Sequence, residues 1–288
     1  MCIAMSPLFS VIIPFKNHLH TLSRLIHSIP NCSDVEVLLV DNQEVSIGYA
    51  DLQAIGINRK VNLFHVDPTR FAGGACNEGL KYAKGRWLLF AGADDYFTDE
   101  AFEFFYSMSD SSADIVFSCM TGKNDITGDY STRGEYYTKL IREYLYEDSP
   151  EEKIRFMFHS QCCKMFKKEF VEKHQLRFSE VKTGNDALFS VMAGYWAKQI
   201  AVADIISYVA TVSDSNISRK HDYESVKCRY IEDLKINSFL RKHGYWRWQL
   251  PILETICHYG VRKRLQLLTL AFHYRQPLFV DYYTKAKY

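Results

Sequence analysis

Nowhere in its 288 residues does the chain run to about 18 uninterrupted apolar residues, so no transmembrane helix is expected. From Met1 to Phe9 it lacks the charged segment and long apolar stretch of a signal peptide. Net charge is lacking as well. The formal value of +1 removes any whole-protein electrostatic case for nucleic acid, and no nucleic-acid partner is expected. Cysteine is present eight times, but without a C-x-x-C pair or a Cys/His spacing suited to zinc. Free thiols in a reducing cytoplasm are the default for such a pattern. The balance of charge is nevertheless uneven. Residues 222–288 hold 12 Lys/Arg against 6 Asp/Glu, leaving the remainder of the chain net acidic.

What is present is organised around Arg86-Trp87-Leu88-Leu89-Phe90-Ala91-Gly92-Ala93-Asp94-Asp95. The apolar run 87–91 predicts a strand buried on both faces, as in a largely parallel sheet. A core does not hold unpaired carboxylates, which cost several kcal/mol there or stay protonated. Asp94 and Asp95 therefore belong where the strand leaves the sheet, at the rim where open α/β folds bind ligands. Two hard oxygen donors there suit Mg²⁺ or Mn²⁺ carrying substrate phosphates. The same pair would also serve as a strand-end turn capping the next helix.

Similar strands are predicted at 9–14, 35–40, 61–66 and 114–118. Helical spacing covers 18–29, 73–84 and 99–109. Alternation of this kind argues for an α/β sheet with right-handed crossovers. Lys16/Asn17, Asp41/Asn42 and Asp94/Asp95 then end three strands on one rim, as a nucleotide-phosphate site would require. Residues 122–150 are polar and Tyr-rich with no clean period, and read as a long connection. A short helix is expected at 151–158 and strands at 159–166 and 200–211. Three further helices are expected at 223–242, 246–258 and 261–274.

Residues 9–17, Val40-Asp41-Asn42, 73–77 with Gly79, and 91–95 fall in the order and spacing of the GT-A fold family 2 glycosyltransferases. The chain resembles that family over roughly residues 8–215. The resemblance implies a GT-A, Rossmann-like mixed sheet flanked by helices over 1–221, with a C-terminal helical appendage over 222–288. It implies an inverting, metal-dependent transfer from a nucleoside-diphosphate sugar, a UDP-sugar in the first place, to a glycan or lipid-linked glycan. Asp94, with His221, would hold Mn²⁺ or Mg²⁺. Pro14, Lys16, Asn17, Asp41, Asn77, Asp95 and Arg219 would contact the donor, Asp41 through the base. One departure stands out: the family's metal motif is commonly Asp-x-Asp-Asp, and Gly92 takes its first position.

The stretch 178–189 resembles the family segment that carries the catalytic base, and Asp186 takes the position of its aspartate. Gly184 permits a tight turn and 187–195 has helical character, so Asp186 falls at a helix N-terminus whose dipole favours the ionised form. The local chemistry alone is equally that of an N-cap. Asp95 and Glu180 are the fallbacks for the base. The basic and aromatic tail, with Tyr245-Trp246-Arg247-Trp248 and Arg262-Lys263-Arg264, either lies on an anionic membrane surface or caps the catalytic domain. Location in the cytoplasm, peripheral at the inner face of the plasma membrane, is expected. The alternatives are an inactive nucleotide-sugar-binding module, motivated by Gly92 and Asn185, or a nucleotidyltransferase, whose Gly-rich basic signature is absent.

Overall fold

The computed structural model describes residues 6–17, 19–213 and 222–278. Its first half is built from β1 (Phe9–Phe15), α1 (Leu19–His27), β2 (Val35–Asp41), α2 (Tyr49–Ala54), β3 (Asn62–His65), α3 (Phe71–Tyr82) and β4 (Trp87–Phe90). Apolar runs drive this order, since all four residues of β4 and six of the seven in β1 are buried. β3, β2, β1 and β4 pair side by side and all parallel. The carboxyl ends of β1, β2 and β4 consequently share one rim, as expected from their polar exits. α1 packs Leu22, Leu25 and Ile26 into the core, the residues its helical spacing marked out.

The second half continues the same sheet. It holds β5 (Tyr96–Phe97), α4 (Ala101–Ser107), β6 (Ile115–Asn124), β7 (Tyr130–Ser131), α5 (Glu135–Tyr146), α6 (Glu151–Met157), β8 (Lys164–Lys167), α7 (Lys168–Lys173), α8 (Ala187–Trp196) and β9 (Ile200–Val212). β8 runs antiparallel between β4 and β6, and β9 pairs parallel with β6. β6 and β9 therefore point the same way as β4, and the end of β9 reaches the same rim. The nine-stranded mixed sheet flanked by helices is the expected architecture.

Three expectations are corrected. Residues 122–150 are not one connection: β6 extends to Asn124 and α5 fills twelve of the positions. α5 seats Leu140 and Ile141 in the core with Tyr136, Tyr137 and Tyr144 packed beside them, so its apolar face is largely tyrosine. The strand expected from 159 begins only at Lys164, because Ser160 Oγ accepts the N–H of Cys162 (3.1 Å) and Cys163 turns with φ +51°. The helix expected over 246–258 splits into a 3-10 turn at Trp246–Trp248 and α10 (Leu253–Cys257). Pro251 lies between them and cannot donate to a continuing helix.

α9 (Tyr223–Lys242) and α11 (Val261–His273) complete the C-terminal part. α9 gives Ile236 and Leu240 to the main core, while Tyr230 and Leu234 join a smaller cluster with Ile252, Ile256, Leu267 and Ala271. No helix among the described residues is long and apolar enough to cross a membrane.

Candidate active site

The rim of β4 carries the acid pair. Asp95 is buried, and each of its oxygens is tied: the Tyr208 hydroxyl donates to Oδ2 (3.0 Å) and the Thr211 N–H to Oδ1 (2.7 Å). Burial pushes the Asp95 carboxyl up to about 7, reinforced by the charge of Asp94 and opposed by Arg133 and the two hydrogen bonds. Tyr208 also accepts the N–H of Gly92 (2.8 Å). The backbone oxygen of Asp94 accepts from Thr211 Oγ1 (2.6 Å) and from Arg24 (2.7 Å), so β9 and α1 hold the turn from both sides.

Gly92 is explained by space. A Cβ there would stand 3.0 Å from Asp94 Oδ1 and 3.1 Å from Asp95 Oδ2. Both carboxylates have closed on the position where a further motif aspartate would begin. Among the described residues no three His, Cys, Asp or Glu side chains gather as a metal cage. Two adjacent carboxylates still fit a hard divalent cation of the Mg²⁺ kind, which keeps waters and takes its other oxygens from substrate phosphates. Both oxygens of Asp95 already accept hydrogen bonds, from Tyr208 and Thr211. Arg219 and His221 lie outside the described residues.

The segment leading to Asp186 is laid directly on α3, and the motif at 73–77 shows how. A Cβ on Gly73 would sit 2.0 Å from the Ser179 oxygen, so only glycine admits that approach. Asn77, expected at the donor, has its amide taken instead. Its Oδ1 accepts the Phe178 N–H (2.9 Å) and its Nδ2 donates to the Phe178 oxygen (3.0 Å), mimicking a strand partner. Glu180 is unsuited as a fallback base: Arg70 forks onto both its oxygens (2.8 and 2.6 Å) and holds its carboxyl below the usual range.

Asp186 begins α8 but makes no capping hydrogen bond to it. It keeps part of its surface open. Burial of the carboxyl lifts it to about 6, against the pull of its own N–H, Lys164 and the Ala187 N–H. Desolvation thus outweighs these pulls, although at neutral pH the anion still prevails. Lys164 is buried, donates to the Phe158 oxygen (2.6 Å) and lies over the rings of Phe158 and Phe117. Cys162 feels both acidic centres: after burial, Asp95 and Asp186 each push its thiol up, to about 12. The two centres thus flank one cysteine.

Pro14 is half-buried at the end of β1, with Lys16 and Asn17 exposed just beyond it. Gln43 Oε1 accepts the Asn17 N–H (3.2 Å), joining the loops after β1 and β2. Asp41 is differently placed from the expectation of a direct contact to the base. Its buried carboxylate accepts from Gln43 N–H (3.0 Å) and Ile47 N–H (2.9 Å) and meets His65 Nδ1 (3.3 Å), so it shapes the loop. Arg133 was not legible as a site residue. It follows β7, donates to the Thr211 oxygen and lies in the field of Asp95 and Asp94, which raise its pKa against burial.

A family model described as "Glycosyl transferase family 2" matches residues 10–175. The chain belongs to that family. Poly(ribitol-phosphate) beta-glucosyltransferase of Bacillus spizizenii is 26% identical over 77% of this chain and 34% of its own length. A PGL/p-HBAD biosynthesis glycosyltransferase of Mycobacterium bovis is 35% identical over 31% of this chain and 36% of its own. The chain thus spans about a third of each of these two relatives. Among solved folds, residues 1–349 of Staphylococcus aureus TarS in complex with UDP superpose with a TM-score of 0.65 at 20% identity, covering 92% of this chain and 79% of that one. The mannosyltransferase PcManGT of Pyrobaculum calidifontis, in complex with GDP-Man and Mn²⁺, gives 0.59 at 15% identity, covering 94% and 83%. Both share the GT-A fold with this family member.

Proposed function

We propose that this chain transfers a sugar from a nucleoside-diphosphate sugar, a UDP-sugar in the first place, to a hydroxyl of a glycan or lipid-linked glycan, with inversion. The reading rests on family membership and on one observation: Asp186 stands at a helix start without a side-chain capping bond, and its charge and that of Asp95 both reach Cys162. Pro14, Lys16 and Asn17 wall the nucleoside, and Asp41 acts through the loop it holds. Arg133 adds a fixed positive charge beside the diphosphate. Asp94 holds Mn²⁺ or Mg²⁺, which when bound stabilises charge on the departing diphosphate. Asp95 faces the donor sugar, anchored by Tyr208 and Thr211. Asp186 removes the acceptor proton as the acceptor oxygen bonds to the anomeric carbon. The bond to the diphosphate breaks on the opposite face, and its electron pair leaves with the diphosphate. Arg219 and His221 are proposed as further donor and metal contacts. The free thiols suit a cytoplasmic setting.

A panel of UDP-, GDP- and dTDP-sugars tests this by calorimetry and by following the anomeric configuration of the product. Binding of one nucleotide class with inverted product is expected. Donor binding without hydrolysis or transfer across an acceptor panel would instead support the inactive module that Gly92 raises. A retained configuration would overturn the single displacement.

A further inference from the structure

α11 presents an apolar face that none of the described residues covers. Val261, Leu265 and Phe272 are 73%, 59% and 85% exposed. At 3.6 residues per turn they fall within about 40° of one another, on the side opposite buried Leu267. Arg262 and Arg264, both exposed, fall about 80° to either side of that stripe. From 255 to 278 the chain contains no Asp or Glu, while Lys263 and Arg275 add further positive charge.

We infer that α11 docks this chain on an anionic lipid bilayer, with Val261, Leu265 and Phe272 entering the interface and Arg262 and Arg264 meeting headgroup phosphates on either side. An apolar stripe flanked by basic residues is the pattern of helices that lie in the interfacial plane. A second copy of the chain fits this face poorly. Pairing through it would bring the arginines of one copy against those of the other. The stripe, roughly 20 Å by 10 Å on a thirteen-residue helix, is also far below the ~800 Å² per partner of a stable interface.

The other side of α11, away from the stripe, leads back toward the segment before Asp186. Lys263 lies 4.5 Å from the Tyr223 ring centre, and Tyr223 donates to Gln266 (2.7 Å). Two residues on, the Ser225 oxygen accepts from Thr183 Oγ1 (2.8 Å), three positions before Asp186. The docking does not rest on the proposed transferase reading.

Sedimentation with phosphatidylcholine vesicles, alone and mixed with phosphatidylglycerol, tests the inference. Binding only to the mixed vesicles is expected, with release as salt rises. Val261→Ser/Leu265→Ser/Phe272→Ser should lower the partition coefficient about tenfold or more. Arg262→Glu/Arg264→Glu should lower it by roughly fivefold for each unit of charge changed. UDP affinity and Tm should stay as in the parent chain in both variants, so failure of docking is read apart from failure of the enzyme reading. No binding, or equal binding to both vesicle types, overturns the inference. So does concentration-dependent self-association in ultracentrifugation that the apolar triple variant abolishes.

Discussion

The two acidic centres of the rim are built in opposite ways. Asp95 is locked at both oxygens by Tyr208 and Thr211, and Asp94 is pinned through its backbone by Thr211 and Arg24. Asp186 heads a helix without capping it, and its carboxyl is governed mainly by desolvation. Burial raises Asp95 and Asp186 alike, to about 7 and about 6. Only the tethering differs. The partners of Asp95 come from β9, across the sheet, whereas the hydrogen bonds drawing on Asp186 come from its own N–H and that of Ala187; a group that must hold charge in a fixed place profits from the former arrangement.

The largest expected effect would break the contrast at Asp186. Asp186→Asn should lower kcat by roughly 10²–10⁴ while donor Kd stays near that of the parent chain, because a base acts on the transition state. Asn caps as well as Asp. A wild-type rate in this variant, measured in a coupled assay for released nucleotide, would return Asp186 to a structural role. In the parent enzyme, kcat/KM should rise with pH through about 6 as Asp186 loses its proton. A flat profile there would argue against it.

Next comes the pinned side. Asp94→Asn should cut turnover well over tenfold and weaken the response of donor binding to Mn²⁺, since one charged contact is worth a few kcal/mol. Full activity in excess EDTA would remove the metal from the account. Arg133→Gln should weaken UDP binding about tenfold, the loss of one hydrogen bond to a charged group. Unchanged affinity by calorimetry would leave Arg133 as a strut for Thr211 alone.

The smallest effect sharpens the comparison through stability. A carboxyl whose folded pKa is raised binds its proton more tightly in the fold, so its stability contribution falls as pH rises from the unfolded value of 3.8 through the folded one. For Asp95 that window ends near pH 7. Asp95→Asn removes the penalty and should raise Tm by a few degrees at pH 8 in EDTA, given about 2–4 °C per kcal/mol at this chain length, with the gain vanishing toward pH 4. An equal shift at both pH values would mean that the tethers, not the charge, set the stability of this corner.

The rim was legible because three apolar runs stop at polar residues, and parallel pairing puts such stops side by side. The base was legible only through likeness to a family, since aspartate before a helix is ordinary capping chemistry. Arg133 escaped notice for two reasons. Its partner Thr211 lies 78 residues away, and α5 buries tyrosines where a periodic reading looks for aliphatics. The motif at 73–77 gave no sign that the Asn77 amide would serve the backbone of Phe178. β5 is two residues long, too short to leave a pattern.

Thr211 donates through its N–H to Asp95 and through its hydroxyl to Asp94, and accepts through its oxygen from Arg133. A single residue of β9 thus couples one carboxylate, the backbone of its neighbour and a guanidinium, so a shift of Thr211 along the strand would move all three in step.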